Sequence, residues 1–578
     1  MLHDASPVLA PAWPRPPRTA NPALLAGPYR PMEETMRTKR IAGTSVALSG
    51  ALLLTACGGG DGGGTAAEGG GDGTFSVYIG EPENPLLPGN TGETEGGQVV
   101  DALWTGLVEY DRESNEAVYT GVAESIESED QTTWTVSLKD GWTFHDGSPV
   151  TAQSYVDSWN YVANSENAQG NSYFFSNVEG YDALQGEEGA SPTATEMSGL
   201  RVVDEQTFEV TLSEPYAQWP TTVGYTAFFP MPEAFFEDPE GFGEQPIGNG
   251  PFKADEAFQE GQGITLTRYD EFGGDEPAKA AAVEFRVYTE INTAYNDLQA
   301  GSLDVVDQIP PDAIASAEDQ FGERFKTTPR GDITALGFPT YDERFADPEV
   351  RRAFSMAIDR QAITDAIFQG SRTPAASFVS PVIDGHREDA CDACELNVEE
   401  ANRMLDEAGF DKSEPVDLWF NAGAGHEEWM QAVGNQLREN LGVEYQLRGD
   451  LQFAEYLPKQ DEKGMTGPFR SGWIMDYPVM ENMLGPTYST AALPPAGSNV
   501  TFYSNEEFDA KLQEGNAADS IDAAIQAYQE AEDLLVADMP ATPLFFGLVQ
   551  YAHSENVEEV YVNSFGRVEV EDVVVTSE

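Results

Sequence analysis

The chain has 578 residues, of which 99 are acidic and 31 are basic, so its formal net charge is −68 at pH 7. A charge of that sign and size argues against nucleic acid and anionic membrane surfaces as partners, because both repel a polyanion. With 40% hydrophobic residues, the chain is globular and long enough for more than one domain.

The N-terminal region has the layout of an export signal. Residues 36–56 place three basic residues before an apolar run, 41–54, that is too short to span a bilayer comfortably. The sequence LTAC ending at Cys57 resembles the bacterial lipobox, in which the cysteine is lipid-modified after cleavage. We predict a lipoprotein signal peptide at 36–56 and lipid attachment at Cys57; an apolar core segment without a leader is the alternative. The Pro-rich residues 1–35 are interpreted as a mis-assigned N-terminal extension.

The segment that follows Cys57 has the composition of a tether. Residues 57–74 are rich in glycine, which predicts a flexible linker between the lipid and a folded body. No later segment is long and apolar enough to be transmembrane. The predicted location is therefore the extracellular face of the cell membrane, with the lipid as the membrane anchor.

The folded body begins with strand patterns. Residues 132–138 (TTWTVSL) and 206–212 (QTFEVTL) alternate apolar and polar side chains, which predicts half-buried strands. Between them, the sequence HDG at 145–147 predicts a turn. Strands followed by turn residues, together with the helices further along, indicate a mixed α/β chain.

Three segments have helical patterns. The sequence DPE at 347–349 supplies an N-cap, a first-turn proline and a first-turn acid, and apolar residues follow at helical spacing to Ile358. The segment Val398–Ala408 gathers its apolar residues on one face and ends at a glycine. A third helix, acidic and rich in alanine, is expected from about residue 517 to 537.

The remaining cysteines, Cys391 and Cys394, form a close pair in the sequence CDACE. Outside the cell such a pair favours a small-loop disulfide, although CxxC is also half of a zinc site or a redox motif. His386 lies nearby, but the second ligand pair of a zinc site is absent. We predict a disulfide between the two cysteines and no metal.

The motifs of several enzyme classes are missing. The chain has no GxxxxGK phosphate loop and no GxSxG nucleophile elbow. The sequence HEEWM, which starts at His426, begins like the zinc-protease motif HExxH, but Met430 stands where the second histidine is needed. We therefore predict a protein that is not an enzyme and that needs no cofactor.

Eight sequence blocks follow one another from about residue 75 to the end of the chain. They are LWTGLVEYD (103–111), WTFHDGSPVTAQSYVDSW (142–159), VDEQTFEVTLSEP (203–215), PIGNGPFK (246–253), LQAGSLDVV (298–306), ADPEVRRAFSMAIDR (346–360), EEANRMLDEAGF (399–410) and RSGWIMDYP (470–478). Any one of these blocks is weak evidence of kinship, but eight in one order are specific. In these blocks and their order, the chain resembles the solute-binding proteins of ABC importers for oligopeptides and dipeptides, which form family 5 of the bacterial extracellular solute-binding proteins.

The resemblance implies an α/β, two-lobe, periplasmic-binding-protein-like fold with a hinge and an extra subdomain in lobe one. Lobe one would take residues 75–288 and return at 548–578, and lobe two would take residues 289–547. Closure of such lobes removes a ligand from water and offers a permease a distinct surface.

The resemblance also implies a binding site around the aspartate of the sequence GWIMDY. In relatives, the aspartate at the position of Asp476 accepts the α-ammonium group of a bound peptide. The backbone from Gly472 to Ile474 would pair with the peptide as an added strand. The other residues implied to contact the ligand are Arg470, Trp473, Tyr477, Phe453 in an aromatic pocket, and His426, which would meet the peptide carboxylate.

The sequence departs from the family pattern in two places. Where relatives place a polar or basic residue for the carboxylate of a longer peptide, this chain has Gln460, with Lys459 and Lys463 adjacent. After Tyr477, the usual acidic residue or Asn and a proline are replaced by the sequence PVM at 478–480. The anchor for the amino terminus is kept, whereas carboxylate capture and preferred peptide length stay open.

The implied function is a lipid-anchored, monomeric component of an ABC importer that captures peptides and delivers them to the permease and ATPase subunits. The alternatives are the same fold with a non-peptide solute, such as a metal chelate or an oligosaccharide, a peptide-sensing receptor, or a surface enzyme. For single residues, the plain structural alternatives are a cap or turn role for Asp476, an exposed helix start for His426, and core positions for Trp473 and Phe453.

Overall fold

The structure of the protein is a computed structural model that describes residues 73–186, 191–311, 313–422, 425–494 and 497–576. The predicted extension, signal peptide and lipid-attachment residue Cys57 lie outside the described residues, as does the tether up to residue 72. The first strand begins at Thr74, which is the last residue of the predicted tether.

The described residues form a mixture of strands and helices. The strands are β1 (Thr74–Ile79), β2 (Glu109–Tyr110), β3 (Ala117–Val118), β4 (Ala123–Glu127), β5 (Thr133–Leu138), β6 (Leu200–Asp204), β7 (Thr207–Thr211), β8 (Phe252–Ala254), β9 (Gly263–Arg268), β10 (Ala282–Val287), β11 (Val305–Val306), β12 (Phe325–Pro329), β13 (Asp332–Gly337), β14 (Arg372–Pro374), β15 (Val416–Asn421), β16 (Tyr445–Leu451), β17 (Phe469–Ile474), β18 (Ala541–His553), β19 (Val557–Glu558) and β20 (Val574–Val575). The helices are α1 (Thr94–Leu103), α2 (Ala152–Ala163), α3 (Trp219–Thr222), α4 (Glu233–Glu237), α5 (Pro239–Phe242), α6 (Ile291–Gln299), α7 (Ile314–Phe321), α8 (Pro348–Met356), α9 (Arg360–Ile363), α10 (Val398–Ala408), α11 (His426–Leu441), α12 (Phe453–Asp461), α13 (Met480–Tyr488), α14 (Glu506–Asn516) and α15 (Ile521–Asp538). Within the described ranges, no helix has the length and apolar character needed to cross a membrane.

One mixed sheet runs through the molecule in the order β16-β15-β17-β13-β18-β11-β1-β10-β9-β8. Strand β18 is thirteen residues long and belongs to both halves of this sheet. Its residues 541–547 pair with β13 and β14, and its residues 548–553 pair with β12 and β11. The two halves are therefore joined by one continuous hydrogen-bonded strand.

The apolar side chains gather into three main cores, two on the halves of this sheet and one around a separate antiparallel sheet. The first core draws on residues 75–104, 229–305 and 549–573. The second core lies within residues 107–228, around helix α2 and the antiparallel sheet β4-β5-β7-β6. The third core lies within residues 333–546. A smaller cluster packs residues 294–325 against Tyr78 and Ala552.

The two strands predicted from alternation are confirmed, and they are neighbours. β5 and β7 pair antiparallel, with Trp134 opposite Val210 and Val136 opposite Phe208. All four side chains are buried in the second core, whereas the residues between them along each strand are only partly buried. The apolar residues that alternate with polar residues in the sequence therefore form one buried face of the sheet.

Two of the three predicted helices are confirmed, and one begins later than expected. Asp347 caps α8 by accepting a hydrogen bond from the Glu349 backbone N–H at 3.0 Å, and α8 ends at Met356, two residues before the predicted end. α10 spans Val398–Ala408 as predicted. α15 begins at Ile521 instead of residue 517, because the Ser520 hydroxyl caps it by accepting from the Ala523 N–H at 3.3 Å.

The predicted turn at 145–147 is confirmed, with Gly147 at a φ of +83°. The histidine in this turn also has a structural role that the sequence did not reveal. The His145 Nδ1 atom accepts a hydrogen bond from the Gly248 N–H, and its Nε2 atom lies 3.1 Å from the Gly250 carbonyl oxygen. Burial lowers the pKa of His145 to about 4, so the neutral ring holds the loop at 246–253 in place.

Cys391 and Cys394 are joined in a disulfide. Both side chains are buried in the third core, next to helix α8. Among the residues that the structure describes, no group of three or more His, Cys, Asp or Glu is arranged to hold a metal ion. The cysteine pair is a short covalent link inside the third core.

A buried ion pair fixes the loop that precedes the disulfide. Glu532 on α15 is 0% exposed and accepts hydrogen bonds from the Ser377 hydroxyl at 2.5 Å and the Phe378 N–H at 2.9 Å. The Arg387 guanidinium donates to the same carboxylate at 2.7 Å. Without Arg387, a buried negative charge would remain with only neutral donors.

We expect Arg387→Met to lower the free energy of unfolding by about 3 kcal/mol, because it leaves the buried Glu532 carboxylate without its counter-ion. The matched control is Arg403→Met, which removes an arginine that is 51% exposed and paired with Glu400 and Glu407 on α10. That change should cost much less, because water and salt screen an exposed ion pair. Urea denaturation of both variants measures the difference, and equal losses would contradict the assignment.

Candidate ligand-binding site

Strand β17 has one open edge. Along one side it pairs with β13, from Phe469 opposite Gly337 to Ile474 opposite Asp332. On its other side it meets β15 only at Phe469. Beyond that residue, no described strand pairs with this edge. The Arg470 carbonyl oxygen already accepts hydrogen bonds from the Tyr456 hydroxyl and the Gln460 amide, and the remaining backbone groups are available to another extended chain.

The backbone groups of Gly472 and Ile474 face the open edge. The Met475 N–H donates to the Gly331 carbonyl oxygen on the β13 side at 2.8 Å, and alternate residues of a strand direct their N–H and C=O groups to opposite edges. A side chain at Gly472 would come within 2.5 Å of the Ile333 carbonyl oxygen. Glycine is therefore required for the close pairing of β17 with β13.

Asp476 follows the end of β17 and is held by Asn482 on α13. The Asn482 amide nitrogen donates to the Asp476 carboxylate at 3.0 Å, and the Asp476 N–H donates to the Asn482 amide oxygen at 2.8 Å. No cationic side chain of the described residues forms an ion pair with Asp476, and burial raises the pKa of its carboxyl to about 6, against the opposing effect of the Asn482 hydrogen bond. The carboxylate is oriented but lacks a counter-ion.

Aromatic side chains from the second core face Asp476. Burial, and then the charge of Asp476, raise the pKa values of Tyr173 and Tyr225. The Phe174 ring lies 6.5 Å from the ring of Tyr477. The second and third cores also meet nearby, where the Ala217 N–H donates to the Asn516 carbonyl oxygen at 2.8 Å. Asp476 therefore lies in a cleft between the two cores.

Trp473 and Tyr477 complete the wall on the side of the third core. The Trp473 indole N–H donates to the Asn482 amide oxygen at 3.2 Å, so Asn482 holds both Trp473 and Asp476. The Tyr477 hydroxyl donates to the Glu481 carboxylate at 3.4 Å, and burial raises the pKa of Glu481 to about 7. Asn482 and Glu481 were missed by the sequence reasoning, although both lie in the first turn of the helix after Asp476.

The other end of the open edge carries positive charge. The Arg470 Nε–H is buried without a hydrogen-bond partner among the described residues, and burial lowers the pKa of Arg470. His426 begins α11, and its Nδ1 atom accepts from the Trp429 indole N–H at 3.2 Å. Burial, and then the charges of Arg470 and Arg372, lower the pKa of His426 to about 4, so Arg470 is the cation at this end.

Phe453 and Gln460 lie on α12 and differ in exposure. Phe453 is 49% exposed, and no hydrogen bond or ring contact of the described residues joins it to Asp476 or Arg470. Gln460 is 4% exposed, and its amide donates to the Arg470 carbonyl oxygen at 3.4 Å. The neighbouring Lys459 lies over the Trp419 ring at 4.5 Å, and Lys463 over the Phe502 ring at 4.3 Å. Gln460 thus supports the backbone of β17.

Comparison with known proteins agrees with this architecture. The family described as "Bacterial extracellular solute-binding proteins, family 5 Middle" matches residues 117–494. The oligopeptide-binding protein OppA of Bacillus subtilis is 25% identical over 553 residues, covering 92% of this chain and 98% of that protein. The probable deoxycholate-binding periplasmic protein YgiS of Escherichia coli is 25% identical over 474 residues, covering 80% of this chain and 85% of that protein.

Solved structures have the same fold. The unliganded open form of the periplasmic murein tripeptide-binding protein MppA, from Escherichia coli, superposes with a TM-score of 0.75 at 22% identity. It covers 89% of this chain, and 99% of MppA is matched. This similarity confirms the predicted two-lobe α/β fold. The chain is thus a two-lobed binding protein, and it belongs to family 5 of the bacterial extracellular solute-binding proteins.

Proposed function

We propose that the protein is the lipid-anchored solute-binding component of an ABC importer and that it captures peptides along the open edge of β17. The observation that carries this proposal is the arrangement of β17 itself. Beyond one end of this unpaired strand edge lies an anionic group, and at the other end lies a cationic group, and neither forms an ion pair with a side chain in the described part of the chain. A peptide in its zwitterionic form has the complementary backbone and the complementary charges.

In this proposal, Asp476 binds the α-ammonium group of the peptide. A partly buried carboxylate without a cation is costly, and an ammonium group would remove that cost. The hydrogen bonds from Asn482 keep the carboxylate oriented before the ligand arrives, so little ordering is needed on binding. Because every ordinary peptide has a free amino terminus, this contact would favour peptides without selecting their sequence.

Arg470 binds the peptide carboxylate in the same proposal, with His426 beside it. The four residue steps between Arg470 and Ile474 span about 13 Å at 3.3 Å per residue, and Asp476 lies beyond Ile474, so an extended peptide of about four or more residues would be needed to reach from one charge to the other. Gly472 and Ile474 supply the main-chain hydrogen bonds between these ends. Trp473 and Tyr477 form the wall beside the amino terminus, and Phe453 is proposed to contact a side chain further along.

The two lobes would close on the ligand and present it to the permease and ATPase subunits of the importer. We propose that lobe one takes residues 75 to about 330 together with 548–578 and that lobe two takes the residues between them, so the boundary lies later than the residue 288 expected from the resemblance, because β11 and β12 pair with β1 and the second half of β18. The packing of residues 294–325 on Tyr78 and Ala552 favours a crossing between the lobes nearer residue 330. The lipobox at Cys57 supports anchoring of the monomer at the outer face of the cell membrane.

A non-peptide solute is the second candidate. YgiS, whose name describes a probable deoxycholate-binding protein, has the same 25% identity to this chain as OppA of Bacillus subtilis, over 474 instead of 553 residues. The aromatic residues around Asp476 would also suit an apolar ring system. Thermal stabilisation of the purified protein by an amine-free solute, with no stabilisation by peptides, would decide for this candidate.

We expect Asp476→Asn to weaken the binding of unmodified tripeptides by about 3 to 5 kcal/mol, because it removes one partner of a buried ion pair. N-acetylated peptides should bind wild type poorly for the same reason. Isothermal titration calorimetry measures both effects. The control is Asp140→Asn, at an exposed aspartate after β5, which should leave affinity unchanged. Equal affinity of wild type for free and acetylated peptides would refute the role of Asp476.

Peptide affinity should also fall in acid. An ammonium group binds the ionised carboxylate, and the pKa of Asp476 is raised to about 6, so the ionised fraction falls from about ten elevenths at pH 7 to about one eleventh at pH 5. Affinity should therefore drop about tenfold between pH 7 and pH 5. The Asp476→Asn variant should lose most of this dependence, and an unchanged slope would assign it to another group.

The cationic end can be tested with C-terminal amides. We expect Arg470→Gln to weaken the binding of free-carboxylate peptides by about 2 kcal/mol, the usual value of a charge-assisted hydrogen bond. Binding of the matching peptide amides should change by less than about 0.5 kcal/mol. Arg438→Gln, at an exposed position on α11, is the control. Equal losses for acids and amides would show that Arg470 does not bind the carboxylate.

A further inference from the structure

A cavity of about 340 Å³ adjoins Asp476. Its walls come from residues 101–120, 224–229 and 561–571, and Asp476 alone among the described lining residues belongs to the segment that follows β17. This volume is at the lower end of the range for small-molecule sites. A ligand whose ammonium group lies at Asp476 would therefore have its first residue at the edge of this cavity.

The carboxyl groups that line the cavity outnumber the cationic groups that line it. Six carboxyl groups line it against two guanidinium groups. Arg567 is engaged by Asp101 at 2.7 Å, and Arg112 is engaged by Glu569 and Asp572. Both cations of the lining are therefore already paired.

Glu571 is one of the lining carboxyl groups that form no ion pair with a described side chain. No described side chain hydrogen-bonds to it or forms an ion pair with it, although it lies in the same short turn as Asp572, which pairs with Arg112 and Lys279. Burial, followed by the nearby charge of Glu569, raises the pKa of Glu571 to about 8. The raised pKa favours the protonated, neutral form of Glu571 in the ligand-free protein, and a bound cation could replace that proton.

The remaining walls suit a long aliphatic stem. The Tyr110 and Phe565 rings lie 5.5 Å apart and line the cavity together with Tyr225 and Phe229. Lysine and arginine side chains bury an aliphatic stem against such surfaces and place the charge at the tip. Aromatic faces also attract cations directly.

We propose that this cavity receives the side chain of the first residue of the bound peptide and selects lysine or arginine there, with Glu571 as the counter-ion. The inference rests on the proposed peptide-binding function, since it places the α-ammonium group at Asp476. A first residue with a basic side chain offers two cations, one for Asp476 and one for Glu571. A first residue with an acidic side chain is disfavoured by the remaining carboxylates.

The test compares three tripeptides on the purified protein by isothermal titration calorimetry at pH 7.5. They are Lys-Ala-Ala, its analogue with norleucine in place of lysine, and Ala-Ala-Ala; norleucine keeps the aliphatic stem and removes the ammonium group. We expect wild type to bind the lysine peptide at least tenfold more tightly than the norleucine peptide. Glu571→Gln should reduce this ratio to less than threefold and leave the norleucine peptide within twofold of its wild-type affinity.

The matched control is Glu558→Gln, at an exposed glutamate outside the cavity, which should keep the wild-type ratio. If wild type binds the norleucine peptide as tightly as the lysine peptide, the inference is overturned even where Glu571→Gln fails to fold. If Ala-Ala-Ala binds but lysine brings no advantage, only this inference fails. If none of the three peptides binds, the proposed function fails as well.

Discussion

The gap in the sheet beside β17 is the constraint on which the site depends. A strand edge inside a protein leaves N–H and C=O groups that must find partners, and proteins usually cover or pair such edges. Here β15 leaves β17 after Phe469, so the edge is kept open on the side of the cleft. The opposite edge is fully paired with β13, which holds the open edge straight and in register. A ligand that added a strand here would form main-chain hydrogen bonds that no described strand of the protein forms with this edge.

The two charged side chains beside this edge lack ion-pair partners among the described residues, and the backbone groups of the edge beyond Phe469 likewise lack a described partner strand. Asp476 and Arg470 belong to one short segment, yet neither neutralises the other, because the strand holds them apart at its two ends. Each is surrounded by groups that orient it without cancelling its charge. Asn482 does this for Asp476. At the other end, Tyr456 and Gln460 bind the backbone carbonyl of Arg470 instead of its guanidinium group. In the unliganded site, neither charge is neutralised by a side chain in the described part of the chain. A ligand with an ammonium group at one end and a carboxylate at the other would therefore gain electrostatic free energy by pairing with both.

Local patterns predicted local structure well. The strands β5 and β7 and the helix α10 followed from alternation, amphipathic spacing and a terminal glycine, because these features act within a few residues of one another. The late start of α15 was missed, since the choice between Ala517 and Ser520 depends on a single capping hydrogen bond. The two-lobe fold and the position of Asp476 came from the resemblance to a family, because no pattern within one segment shows which strands will be neighbours. Asn482 and Glu571 could not be predicted, because Asn482 reaches Asp476, and Glu571 reaches the cavity, only once the chain has folded.

Strand β18 has a consequence for how the two lobes can move. It is hydrogen-bonded to β13 and β14 through its first half and to β12 and β11 through its second half. Sliding one lobe past the other would break a row of these bonds at once, whereas twisting or bending the strand near Gly547 would strain them only slightly. A continuous β-strand resists shear but yields to torsion, and sheets tolerate a wide range of twist. The two lobes are therefore expected to open and close by rotating about β18, and the register of the sheet should stay the same throughout this rotation.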